Sequence, residues 1–233
     1  MTEKEFLDGI FNRISKAGYK FDKRLLAAFH TSLKINDIAC LTVNAGISGT
    51  GKSQLPRLYA EGAGIHFLMV SVKPGWDSPQ DLFGYYNYVE RSFKPTELSQ
   101  ALVQFDKWEN KGNLKEEMLM VLLDEMNLAR VEYYFSDILS KLEMRNNIDK
   151  NNEGERELVN IKFDIGRLGE KESNPKIFID RNVLFVGTMN EDESTHSLSD
   201  KLIDRANVIR FGAPKKLEIN MPNPATPASE KLT

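Results

Sequence analysis

Apolar residues at Phe6, Leu7, Ile10, Phe11 and Ile14 recur three and four positions apart, as do Leu25, Leu26, Phe29 and Leu33. This spacing predicts two amphipathic helices at the start of the chain. From Ala39 the period changes. A β-favouring stretch through Val43 runs into N-A-G-I-S-G-T-G-K-S, and Leu55, Leu58 and Tyr59 then return at helical spacing, giving strand, glycine loop, helix. A second strand is expected from Ile65 to Val72, followed by a loop rich in Gly, Pro and aromatics through Tyr88. A helix carrying Leu98, Ala101, Leu102, Phe105 and Trp108 comes next.

The most apolar segment, Leu119 to Leu123, ends in D-E-M-N and is expected to be a central strand buried on both faces. The helix after it carries Val131, Tyr134, Phe135, Ile138, Leu139 and Leu142 on one stripe. A polar run from Asn146 precedes a strict alternation of Val159, Ile161, Phe163 and Ile165, and Ile177 and Ile179 alternate again, which predicts an inserted β-hairpin. Strands at 183–188 and 208–211 flank a short helix near Leu198 to Ile203. Strands alternating with helices predict an α/β fold of three layers around a mostly parallel sheet. The expected organisation is helices over 1–37, an α/β core over 38–211 with an insertion at about 146–180, and a tail over 212–233. Prolines at 214, 222, 224 and 227 make that tail an expected disordered segment or artificial chain end.

A chain of 233 residues with 41% hydrophobic and 28% charged residues has the make-up of a folded domain. Its 31 Lys+Arg against 34 Asp+Glu leave −3, so no global positive field advertises nucleic acid or an anionic membrane, and any polyanion site must be local. The longest apolar run, Met118 to Leu123, is far short of the ~20 residues that cross a bilayer, and no membrane association is expected. The single cysteine, Cys40, makes no internal disulfide, which fits a cytoplasmic location, and it reads as a small buried residue. His30, His66 and His196 lie far apart without partners at ligand spacing, so no zinc site is expected.

Gly46 to Ser53 reads G-I-S-G-T-G-K-S, between a predicted strand and a predicted helix. Gly46, Ser48, Gly49, Thr50 and Gly51 let successive backbone N–H groups turn inward around phosphate oxygens, Lys52 supplies a point charge, and Ser53 supplies an oxygen for Mg²⁺. Asp124 emerges at the carboxyl end of the central strand, where it can hold Mg²⁺ through water, and Glu125 beside it is a candidate to polarise the attacking water. Asn190, ending the 183–188 strand segment, is either a residue that reaches the γ-phosphate or an Asx turn. Arg205 is either a surface charge or a finger offered to a neighbouring subunit's nucleotide. D-L-F-G at Asp81 and N-K-G-N at Asn110 imitate GTPase motifs, but no buried strand leads into either. Arg130 reads as a surface charge or a second intersubunit charge, and Trp76, Tyr85, Tyr86 and Tyr88 as a pore or partner surface or as loop packing.

With phosphate loop, acidic pair, strand-terminal Asn and helix-terminal Arg in this order, the chain resembles AAA+ ring NTPases over about 25–211. V-K-P-G-W-D-S-P-Q-D-L-F-G-Y-Y-N from Val72, L-L-D-E-M-N from Leu122 and V-G-T-M-N from Val186 resemble the McrB-type NTPases of modification-dependent restriction systems. The resemblance implies sheet order 5-1-4-3-2, Asn190 as sensor, Arg205 as trans finger, Glu125 as base, and Mg²⁺ with ATP or GTP as substrate. It also implies a homo-oligomer, a hexameric ring when the helical lid is present, a nuclease or other effector subunit as partner, and DNA reached only indirectly. That lid is expected after Phe211 and is not found in this sequence. The expected function is Mg²⁺-dependent hydrolysis within a DNA-processing, restriction or defence assembly; the alternative is a nucleotide-gated assembly module with little turnover.

Overall fold

The computed structural model describes residues 1–163, 176–191 and 196–212, so Ile165 and the tail beyond Gly212 lie outside the described residues. Helix α1 (Glu3–Lys16) opens with a capping box, in which Thr2 accepts from the Glu5 N–H and Glu5 accepts from the Thr2 N–H. Helix α2 (Lys23–Lys34) is capped by Asp22. Strand β1 (Leu41–Gly46) leads through the glycine loop into α3 (Gln54–Ala63), and β2 (His66–Ser71) follows. Next come α4 (Pro79–Phe83), β3 (Gly84–Asn87), β4 (Ser92–Pro95), α5 (Glu97–Phe105) and β5 (Leu119–Asp124). After them lie α6 (Val131–Tyr134), α7 (Ser136–Met144), α8 (Glu153–Val159), β6 (Ile161–Lys162), β7 (Lys176–Ile177), β8 (Val183–Asn190), α9 (Asp200–Ile203) and β9 (Ala206–Phe211).

The central sheet runs β2-β5-β8-β1-β9 and every pairing in it is parallel. Counting only its five strands in chain order and reading from the β9 edge, the order is 5-1-4-3-2, as the resemblance implied. Alternation along the buried strands sorts the core into two layers. Val121, Leu123, Val183 and Phe185 face α5, α6 and α7, whereas Met120, Leu122, Leu184 and Val186 face α1, α2 and α3. Burial on both faces explains why the Leu119–Leu123 run is continuously apolar. Among the described residues no helix is long and apolar enough to cross a membrane.

Two segments differ from the sequence-based expectation. The polar run before Val159 contains α8, started by the Asn152 side chain accepting from the Gly154 N–H, so Val159 closes a helix and does not open a strand. Among the described residues the expected hairpin is the two-residue pairing of β6 with β7, and Phe163 and Ile179 are buried beside it. Charge fastens this insertion to the body. Half-buried Glu109 meets Arg156 at 3.0 Å and Lys176 at 3.3 Å, and Asp180 accepts from Lys150 and the Trp108 indole N–H. Burial raises the Asp180 pKa, but Lys150, Trp108 and the Arg181 N–H outweigh it and hold the carboxyl below its ordinary range.

The supposed loop after β2 holds α4 and the antiparallel β3–β4 hairpin. Both GTPase look-alikes are consumed by local capping. Asp81 accepts from the N–H groups of Asp77 and Ser78 at the start of α4, and buried Asp106 accepts from those of Trp108, Glu109 and Asn110.

Gly187 in β8 faces Met126, which is fully buried, and a Cβ at this position would overlap the Met126 sulfur. Gly187→Ala is therefore expected to cost about 1–3 kcal/mol by overpacking. Urea unfolding checks it: the midpoint should fall, and the Gly187→Ala, Met126→Ala double variant should lose less than the two single losses added together.

Candidate active site

The phosphate loop lies where β1 meets α3. Gly46 takes φ 148°, and a Cβ there would sit 2.6 Å from the Phe211 carbonyl oxygen of β9, its register partner, so this position excludes a side chain. Gly51 takes φ 88°, and its bare Cα lets the Phe21 ring pack against the loop. Lys52 is buried, with Nζ donating to the carbonyls of Gly46 (2.9 Å) and Ile47 (2.6 Å), while buried Asn44 donates to the Lys52 carbonyl at 3.0 Å. Thr50 donates to the Ile47 carbonyl at 2.9 Å. Pro56 is the third residue of α3, where no intrahelical N–H bond is lost.

The parallel register carries the other residues to the loop. Asn190 stands beside Gly46 on the neighbouring strand, and β5 ends next to β8. The Ser53 hydroxyl donates to Asp124 Oδ1 at 2.6 Å, joining loop and acidic pair across 71 residues of sequence. Glu125 is exposed and holds a left-handed backbone, φ 52° and ψ 46°, a conformation costing a non-glycine residue about 1–3 kcal/mol. The Asn190 Nδ2 donates to Glu125 Oε1 at 3.1 Å. Gly46, Lys52, Ser53, Asp124, Glu125 and Asn190 are thus one constellation.

Arg205 is not part of it within a single chain. Its Nε pairs with Glu143 at 3.2 Å and its Nη1 donates to Ser140 at 3.3 Å, both on α7, and its side chain is 38% exposed. Arg130 donates to the Tyr133 hydroxyl at 3.1 Å. Trp76 packs edge-on against buried Tyr134 at 5.3 Å, while Tyr85 and Tyr88 are exposed on the β3–β4 hairpin.

Two buried polar residues that carried no role in the sequence reading join the strand ends. Asn127 donates through Nδ2 to the carbonyls of Asn190 (2.8 Å) and His196 (3.2 Å) and accepts from the Asn190 N–H (3.3 Å). Thr188 bridges Asp124 and Glu125. In the sequence each is marked only as a polar residue, Thr188 near the end of an apolar strand and Asn127 three residues past one. Also unannounced is a cleft of about 690 Å³ beside the loop, lined by Phe21, Arg24, Leu25, Thr50, Ile209 and Phe211 among others. A larger cleft of about 1020 Å³ between the β2 edge and the β3–β4 hairpin shares no residue with the phosphate loop.

A hydroxyl and a carboxylate 2.6 Å apart at the end of a phosphate loop are the hard oxygen donors that Mg²⁺ takes, so Ser53 and Asp124 fit that ion. Fold and site together define a P-loop NTPase of the AAA+ class. The model of the AAA domain family, dynein-related subfamily, matches residues 45–206, and the chain belongs to that family. Membership implies hydrolysis of a nucleoside triphosphate. No curated protein matches the chain.

Proposed function

We propose that the chain is a Mg²⁺-dependent ATPase or GTPase whose site is completed between subunits of a ring. The observation that carries this reading is the convergence of Ser53, Asp124, Glu125 and Asn190 from three elements onto one hydrogen-bonded group beside the loop. Backbone N–H groups of 46–53 and the Lys52 ammonium bind the phosphates, the ammonium exchanging its two carbonyl acceptors for phosphate oxygens. Ser53 and Asp124 would hold Mg²⁺, whose charge would offset that of the phosphate oxygens. Glu125 orients water and takes its proton at a carboxylate oxygen, and Asn190, already on that carboxylate, reaches the γ-phosphate. The base enters the cleft beside Phe21. Arg205 leaves Glu143 and meets a neighbouring subunit's nucleotide. The McrB-like motifs support a place in a DNA-processing, restriction or defence assembly, with a nuclease or other effector subunit.

Calorimetric titration of ATP and of GTP, each with Mg²⁺, alongside phosphate release, tests the reading. Lys52→Ala should weaken binding about 10- to 100-fold, the range for a lost hydrogen bond from a charged donor. A preference for GTP supports the restriction-type assignment, and a preference for ATP moves the chain to an ATP-using relative. Equal affinity of Lys52→Ala and wild type would overturn the placement of the nucleotide.

A further inference from the structure

We propose that Thr188 is a positioning residue for hydrolysis, setting the direction of both Asp124 and Glu125 through one hydroxyl. This inference deepens the proposed function and rests on the reading of Glu125 as the base. Thr188 is 1% exposed on β8, two residues before Asn190. Its Oγ1 donates to Asp124 Oδ1 at 2.8 Å and accepts from the Glu125 N–H at 2.8 Å. A hydroxyl has one proton and two lone pairs, so both bonds form together and fix the rotor.

Asp124 Oδ1 thereby receives two donors, Ser53 from the loop and Thr188 from β8, which together restrict the carboxylate. Glu125 is fixed through its backbone. Its N–H ends on Thr188, and its carbonyl accepts from the Leu128 N–H at 2.9 Å, opening the 3₁₀ turn Met126–Leu128. These two bonds clamp the left-handed φ of 52° that turns the chain at Glu125, and the carboxylate reaches Asn190 from there. A threonine with no such role would be replaceable by valine, which has nearly the same shape and an equal preference for strands. Here valine leaves the Glu125 N–H without its acceptor and leaves Asp124 Oδ1 with the Ser53 hydroxyl alone.

The test compares Thr188→Val and Thr188→Ser in the whole chain. Valine should leave the affinity for Mg²⁺-nucleotide within threefold and lower kcat by about 30-fold or more, the order expected when a reacting group is misplaced by a fraction of an ångström to an ångström. Serine, which keeps the hydroxyl, should restore kcat to within about threefold despite the lost methyl. Thr188→Ala serves in place of valine if that variant does not fold. A valine variant turning over at the wild-type rate, or a serine variant as slow as valine, overturns the proposal. Amide hydrogen exchange at Glu125 reads the same bond without turnover: it should quicken about tenfold or more in valine and not in serine. Unchanged exchange in valine also overturns the proposal. A wild type that binds nucleotide without hydrolysing it removes the hydrolytic reading instead, and the exchange result alone then upholds or overturns the clamp.

Discussion

Glu125→Gln is expected to bind Mg²⁺-nucleotide as tightly as wild type and to lower turnover about 10²- to 10⁴-fold, the contribution of a positioned general base. The substitution is nearly isosteric, and the side chain is exposed, so the fold has no reason to respond. The Asn190 Nδ2 still finds an oxygen acceptor in the glutamine amide, which preserves its hydrogen bond to this side chain. In the proposed reading the loop and Lys52, on other elements, hold the phosphates, so binding should be spared. Loss is confined to proton transfer, since an amide takes no proton at neutral pH. Calorimetry with phosphate release on one preparation separates the two quantities. Turnover within threefold of wild type would remove Glu125 from the role of base, and lost affinity would make it a binding residue.

Arg205→Ala carries the second large effect, about 10³- to 10⁵-fold in turnover if it acts as a finger in trans. In the isolated chain Arg205 is spent on Glu143 and Ser140 of α7, so its removal deletes only a half-exposed ion pair of about 0–1 kcal/mol and should leave melting nearly unchanged. Mixing isolates the trans role. Arg205→Ala keeps an intact loop, Lys52→Ala keeps an intact arginine, and at nucleotide concentrations too low to fill the Lys52→Ala site each alone should turn over little. In a ring with head-to-tail interfaces, an equal mixture pairs an intact loop with an intact arginine at about one interface in four and should recover about that share of activity. No recovery, with assembly verified by mass, would show that Arg205 serves no neighbour.

Much of this was legible because its physics is local in sequence. The glycine spacing of 46–53 reflects a backbone that must point N–H groups inward, and the run Leu119–Leu123 before Asp124 reflects a strand buried on both sides. The insertion was read less well. Its apolar alternation at Val159, Ile161 and Phe163 arises from a helix end followed by a short strand, and the Asn152 cap that starts α8 lies in a run whose polarity resembles a loop. The β3–β4 hairpin was hidden by residues of a loop-like composition, because an edge hairpin with one exposed face buries too little to show a clean period of two.

By itself, then, the sequence determined the five-strand α/β core, the phosphate loop, and the candidates Asp124, Glu125 and Asn190, since each is written as a residue type at a fixed place relative to a strand end. Only the tertiary structure decided which of them meet. Parallel pairing sets Gly46 beside Asn190 and the β5 end beside β8, and brings Ser53 to Asp124 over 71 residues of chain. It also revealed Thr188 and Asn127, whose partners are backbone atoms and a carboxylate on other elements. Parallel strands are joined only through crossovers, so their neighbours are distant in sequence, and hydrogen bonds between their ends leave no spacing to read.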